Sequence, residues 1–316
     1  MGMTNPWDSP ITIELTRHHD CTRPGRASLA RSASLRPAQR LRLRPGAYVN
    51  AAQWRTLLPA QAPRVRVIAA LQCGDLHEGA ALARESAAVM HGIPVLGALP
   101  DQVQLIRPGR RGGRLTPTTR TLTAPAGVAL GLIGSVSATT PAQTLVDLAR
   151  RRDLRTVLPG IDFALRTGMT SKAEMLDLLA TQRSRAGNAM ARHAIEHGDE
   201  RSESPGESLS RAVMIDNAIP LPDLQHTVIS TQGEIVGRVD FVWWDHGVIG
   251  EFDGDLKYTR ELAGSDPQGV VVAERKRERA VERETGMRVA RWTWNDAWNT
   301  DGLLRELASY GITPRP

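Results

Sequence analysis

Three carboxylates near the end of the chain sit where isolated acids are expensive. Asp240 lies in Gly237-Arg238-Val239-Asp240-Phe241, and Glu251 and Asp253 lie in Ile249-Gly250-Glu251-Phe252-Asp253-Gly254. Lone acids amid apolar strand residues are costly to bury unless paired or metal-bound. If Asp245-His246-Gly247 turns the chain, the two runs become antiparallel neighbours and bring Asp240 towards Glu251. Glu251 and Asp253 are two apart and project from one face of a regular strand. A hard divalent cation such as Mg²⁺ or Mn²⁺ takes oxygen ligands and keeps several waters, so two or three carboxylates suffice. Such an ion polarises a phosphate oxygen and lowers the pKa of an attacking water. The bland alternative for Asp253-Gly254 is turn chemistry.

The elements that must hold these acids are legible around them. A helix is expected over Glu207–Asn217, opened by a Ser204-x-x-Glu207 capping box with Pro205 in the first turn. Strands follow near Gln225–Ser230, Ile235–Trp243 and Val248–Phe252, with a turn at Gln232-Gly233. An arginine-rich helix over about Ala273–Thr285 ends at Gly286, Arg288–Trp294 reads as a strand, and a closing helix begins at Asn295. The order α-β-β-β-α-β-α predicts a small mixed sheet flanked by helices. Gly198–Gly206, polar and rich in Ser, Pro and Gly, reads as the linker before it.

These pieces together resemble the very-short-patch-repair-endonuclease-like branch of the PD-(D/E)XK nucleases. The matching residues are Ser204-Pro205-Gly206-Glu207-Ser208 with Arg211, Gln225, Val239-Asp240-Phe241, Gly250-Glu251-Phe252-Asp253-Gly254, Lys257-Tyr258, the basic helix Glu274 to Arg279, and Arg291-Trp292-Thr293-Trp294. The resemblance implies a restriction-endonuclease-like fold and a Mg²⁺-dependent DNA endonuclease, a hydrolase with Asp240 and Glu251 as metal ligands. It makes Glu207 an accessory acid and Gln225 a polar site residue. The superfamily's Glu-x-Lys would place lysine at 253, where this chain has Asp253. Asp253 is then either a third ligand or the mark of an inactive site, and Lys257 or Lys276 would supply the cation. Helix capping alone explains Glu207 about as well as chemistry does.

Ahead of this region the charge is patterned. The net charge is +6, and neither the stretch from Asp20 to Asp75 nor that from Asp101 to Asp147 contains another acid, although both carry many arginines. Arginine pairs with phosphate through two parallel bonds, so acid-free arginine blocks are the footprint of a polyanion partner. Leu41–Asn50 alternates Leu and Arg, turns at Pro45-Gly46 and resumes at Tyr48, a hairpin or wing signal. Helical patterns follow at Arg64–Leu71 and Ala80–Met90, a strand at Val103–Ile106, a buried apolar strand within Gly127–Ser137, and helices from Thr140-Pro141, from Ser171, and over Gly187–His197. Arg42–Asn50, Glu85-Ser86-Ala87-Ala88 with His91-Gly92-Ile93-Pro94, and Thr140–Ala149 resemble AbiEi-type antitoxin-like proteins of bacteria. That resemblance implies a winged helix-turn-helix, here degenerate, that binds DNA, and a cognate toxin as a further partner.

The expected fold class is α/β (mixed α+β), divided into a basic winged-helix-like region at 1–70, a mostly helical middle domain at 71–200, and a nuclease-like domain at 201–316. With 41% hydrophobic residues the chain can form a packed core. No apolar run reaches the roughly 20 residues of a membrane span, and Met1–Pro10 has no signal-like pattern. Two cysteines offer no zinc cluster, so a cytoplasmic location is expected. His193-x-x-Glu196-His197 fits an inverted zinc-peptidase pattern, but no third ligand accompanies it and histidines suit a helix C-terminus. Two functions are therefore expected to compete, a metal-dependent DNA nuclease and an antitoxin-like transcriptional regulator whose nuclease fold no longer cuts, with RNA as the substrate a third and weaker possibility.

Overall fold

The computed structural model describes residues 15–17, 39–57, 61–74, 79–109, 112–183, 185–254 and 280–315. It divides into two compact units, one of Met1–Asp153 with Gly168–Glu196, the other of Leu154–Thr167 with His197–Pro316.

In the first unit, β1 (Leu15–Arg17), β2 (Arg40–Arg44) and β3 (Ala47–Asn50) form an antiparallel sheet in the order β1-β3-β2. The expected hairpin is present, and Gly46 makes its turn at φ 81°, a left-handed conformation that glycine adopts without steric cost. Asn50 then caps α1 (Ala51–Arg55) by accepting from the Ala52 amide at 2.8 Å, and α2 (Gln61–Gln72) follows. Next come β4 (Ala81–Leu82), α3 (Arg84–His91), β5 (Val103–Ile106), β6 (Arg114–Leu115), β7 (Thr119–Leu122), β8 (Leu130–Ile133) and β9 (Val136–Thr139). They build a six-stranded sheet in the order β6-β7-β5-β4-β9-β8. Leu82, Val103, Leu105 and Ala138 from its central strands pack with Val67 of α2 and Val89 of α3. Helix α4 (Pro141–Ala149) has Pro at its start and Thr140 accepting from the Gln143 amide, and α6 (Lys172–Thr181) is capped by Ser171. Helix α7 (Asn188–His197) carries His193, Glu196 and His197.

This unit corrects the reading of 71–200 as mostly helical. Strand β5 lies where one was expected, but strands of two to four residues are too short to display a period-two pattern, so most of the sheet left little trace in the sequence. The apolar run in Gly127–Ser137 is a hairpin at the sheet edge, not a buried strand: Leu130 and Leu132 are 41% and 73% exposed. The regions expected at 1–70 and 71–200 fall in one unit, except for residues 154–167 and 197–200, which belong to the other.

The second unit is a four-stranded mixed sheet, β10 (Asp223–Ile229), β11 (Ile235–Trp243), β12 (Val248–Asp253) and β13 (Arg288–Thr293), in that order. The first three strands are antiparallel and β13 runs parallel to β12. Helices α5 (Leu154–Arg166), α8 (Pro205–Asp216), α9 (Trp294–Trp298) and α10 (Thr300–Ser309) complete it. The expected element order holds, with one addition: α5, which contains Pro159 and Gly160, both unfavourable inside helices. Burial overrides those propensities. Val157, Leu158, Ile161 and Ala164 are at most 1% exposed, and the fully buried Asp162 accepts from Arg211 of α8 at 2.6 Å.

The core stacks Phe241 on Trp243 and Trp292, with ring centroids 6.2 and 5.3 Å apart, and the Trp292 indole N–H donates to Ser210 of α8 at 2.7 Å. Gly250 lies under these rings; a Cβ there would stand 2.6 Å from Trp292 and 2.8 Å from Trp243. Trp294 is not on the strand with Trp292. It opens α9, where Thr293 and Asp296 form a capping box, and it packs edge-on against Phe252. Residues 280–285 are helical and Gly286 ends them at φ 66°, while Glu274–Arg279, Lys257 and Lys276 lie outside the described residues. Among the described residues no helix is long and apolar enough to cross a membrane.

Candidate functional site

Strand register in the second unit aligns four polar residues. Leu224↔Phe241 and His226↔Val239 place Gln225 of β10 opposite Asp240 of β11. Phe241↔Gly250 places Asp240 one step on, beside Glu251 of β12, and Glu251 is paired with Arg291 of β13. Gln225, Asp240, Glu251 and Arg291 thus form one transverse row across the sheet, the geometry in which cross-strand side chains meet.

The ladder is broken on purpose along this row. Asp240 Oδ2 accepts from the Phe252 amide at 3.0 Å, so a side chain replaces the next backbone partner and β11–β12 pairing stops there. Gln225 adopts φ 54°, a left-handed conformation that costs a non-glycine residue about 1 kcal/mol and persists only where surrounding contacts impose it. Those contacts are visible: Gln225 Nε2 donates to Glu207 Oε2 at 2.9 Å and to Asp240 Oδ1 at 3.5 Å.

Glu207 reaches the row from the first turn of α8. Ser204 caps that helix as expected, accepting from the Glu207 amide at 3.2 Å. The reciprocal bond differs from a capping box: the Glu207 carboxylate accepts from the Glu203 amide at 2.9 Å and turns its same oxygen to Gln225. Capping and site building are therefore shared by one side chain. Burial pushes the Glu207 carboxyl up, against hydrogen bonds that favour its charged form.

The segment read as a linker is part of this wall. The Asp199 amide donates to Asp162 at 2.7 Å, Ser202 is 1% exposed with its hydroxyl 2.8 Å from that of Ser208, and Glu203 pairs with Arg238. Its polar composition reflects hydrogen bonds made at Asp199, Ser202 and Ser204 as well as the exposure of Glu200, Arg201 and Glu203. Asp162 itself is pushed up to about 6, because desolvation outweighs Arg211 and the amide of Asp199.

Of the sequence-derived site residues, Glu207, Gln225 and Asp240 form one hydrogen-bonded chain, and Glu251 adjoins Asp240 by register. Asp253 sits at the exposed end of β12 level with Thr293, and Lys257 lies outside the described residues. Arg291 was missed as a site residue. It was visible only within an aromatic strand motif, since no local pattern tells which residue a parallel partner sets beside Glu251. Its guanidinium is 2.6 Å from Glu251 Oε2, with the Arg291 side chain 40% exposed and that of Glu251 14%.

The oxygen donors of Asp240 and Glu251 suit a hard cation that keeps its waters. Among the described residues no three His, Cys, Asp or Glu side chains gather as a metal cage. Loading the row requires Arg291, the more exposed partner of the pair, to release Glu251. His193, Glu196 and His197 belong to no such cage either; the Glu196 carbonyl accepts from Lys172 and the His197 carbonyl from Arg211.

Two curated proteins are similar to this chain. One is an uncharacterized protein of Mycobacterium tuberculosis strain CDC 1551 / Oshkosh, and the other its counterpart in strain ATCC 25618 / H37Rv; each is 36% identical over 143 residues, 45% of this chain and 52% of the relative. The chain thus spans about half the length of the curated relatives it matches. No family model matches the chain. No solved structure matches it either.

Proposed function

We propose that the second unit is a metal-dependent nuclease domain of the restriction-endonuclease-like kind, cutting DNA phosphodiesters with Asp240 and Glu251 as ligands to Mg²⁺ or Mn²⁺. The observation that carries this reading is the transverse row Gln225–Asp240–Glu251–Arg291, backed by Glu207 and held by a strained Gln225. When bound, the ion supplies charge neutralisation at a phosphate oxygen and a more acidic water. The chain's own residues do the rest. Gln225 fixes the Asp240 carboxylate from one side and the Phe252 amide from the other, so its oxygens are aimed before any ligand arrives. Glu207 stands behind this pair as an accessory acid, holding Gln225 through its carboxylate. Arg291, once off Glu251, is a forked cation beside the scissile phosphate, in the role that lysine at 253 would have filled.

The experiment is plasmid nicking with Mg²⁺ or Mn²⁺. Asp240→Asn and Glu251→Gln are expected to lower the rate by roughly 10²–10³-fold, the scale of losing a group that acts in the transition state. Duplex affinity should stay within about twofold. Cleavage undiminished in both variants would refute the assignment.

A second reading is favoured by one observation, the Glu251–Arg291 ion pair at 2.6 Å. In it Glu251 is permanently neutralised, and the protein is an antitoxin-like DNA-binding regulator that no longer cuts. It requires that the wild-type chain leave every DNA form intact at catalytic ratios with either metal, and that it bind its own promoter.

A further inference from the structure

In the first unit, at the end of β4, the count of charges does not balance. Glu85 and Asp147 are buried there, and both are already committed. Glu85 Oε1 accepts from Arg152 Nη2 at 2.7 Å and Nε at 3.0 Å, while its other oxygen accepts from the Gln104 amide group. Asp147 Oδ1 is held by Arg150 at 2.8 Å. Three further guanidiniums remain around them. Arg84 is half-buried at the junction of β4 and α3, with Arg120 and Arg151 close enough to repel it. The sheet explains the gathering: Arg120 of β7 is level with Gln104 of β5, whose carbonyl accepts from the Ala83 amide at 3.0 Å, and Arg151 follows the end of α4. Among the described residues, Arg84, Arg120 and Arg151 make no side-chain hydrogen bond or ion pair.

The backbone is strained at the same place. Arg84 has φ 50°, an orientation L side chains rarely adopt, in the residue that turns strand into helix. Burial, with Arg151 and then Arg120, pushes its guanidinium down to about 10, and the attraction of Asp147 and Glu85 offsets only part of that. A half-buried, strained guanidinium with two like charges near it, whose nearest acids are shared with Arg150 and Arg152, is an arrangement that an anion completes.

We propose that Arg84, Arg120 and Arg151 form a phosphate-binding site of the first unit, taking the phosphodiester of a nucleic acid or the phosphates of a nucleotide. The site is separate from the acid row, and Asp240→Asn should leave it unchanged.

The test compares the full-length chain with Arg84→Gln/Arg120→Gln/Arg151→Gln and with a charge-matched control, Arg192→Gln/Arg305→Gln/Arg315→Gln. Binding of a fluorescent duplex is measured against salt, and binding of ATP by calorimetry. Loss of roughly tenfold or more in duplex affinity, with the log–log salt slope shallower by about two, assigns the site to a nucleic-acid backbone. Loss confined to ATP assigns it to a nucleotide. Unchanged binding in both arms, or an equal loss in the control, overturns the proposal. Arg84→Gly removes the guanidinium while suiting the positive φ, so it should weaken binding without lowering Tm; weaker binding that tracks unfolding would count against the site.

Discussion

The two units handle surplus charge in opposite ways. In the second, each acid of interest has an answering donor: Asp240 has Gln225 and the Phe252 amide, Glu251 has Arg291, and Asp162 has Arg211. In the first, the buried acids Glu85 and Asp147 are consumed by Arg152 and Arg150, and arginines are left over. The comparison teaches that a residue type says little until its partners are known. Acids in the second unit are held at defined positions, which suits a centre that acts on a bound group. Arginines in the first are left for something outside, which suits capture.

The contrast can be broken or sharpened by substitution. The largest effect expected is the loss of metal-dependent nicking in Asp240→Asn and Glu251→Gln described above, which would establish the second unit as the acting one. Next comes Asp162→Asn. It leaves Arg211 buried with a reduced partner, and breaking a buried pair costs on the order of 3–5 kcal/mol, measurable as a lower urea midpoint. If the α5–α8 pair is what braces the Glu203–Glu207 wall, nicking should fall below the melting temperature too. The same group gives a pH signature. Its carboxyl is raised to about 6 from 3.8, so the folded state holds a proton that the unfolded chain gives up earlier. This contribution to stability is therefore full below the unfolded pKa and is lost as pH rises through about 6. A Tm that rises across that interval in the wild type, relative to Asp162→Asn, would contradict it.

A smaller effect is expected at Gly250, where a methyl group would meet Trp292 and Trp243 at 2.6 and 2.8 Å. Gly250→Ala should cost about 1–3 kcal/mol by overpacking, with a shift in tryptophan fluorescence as the readout. It would also displace the strand that carries Glu251, so activity falling more than stability would locate the site on β12. Smallest is Ser204→Ala, expected to cost about 1 kcal/mol as a lost helix cap by thermal melting. Because Glu207 is held by Glu203 and Gln225 as well as by the helix, nicking should survive it.

Much of this was legible beforehand, and for identifiable reasons. The hairpin at Pro45-Gly46, the caps at Ser171 and Ser204, Pro141 at a helix start and the stops at Gly92 and Gly286 are local chemistry, written within a few residues. The antiparallel meeting of β11 and β12 followed from a tight turn, which is also local. What stayed hidden depended on distance. Apart from β5, the six-stranded sheet of the first unit uses strands too brief to announce themselves, and α5 forms despite Pro159 and Gly160 because burial against α8 outweighs propensity.

The sequence by itself determined which acids were available, where the second unit's helices and strands begin, and that long stretches of the first unit carry arginine without acid. Tertiary structure alone decided that β13 runs parallel to β12 and so sets Arg291 against Glu251, that Gln225 is bent to reach both Glu207 and Asp240, and that Glu85 and Asp147 pair with Arg152 and Arg150. The physical reason is the same throughout. Caps and turns are settled by neighbours in sequence, whereas register, ion pairing and desolvation are settled by groups many residues away, which meet only when the core closes.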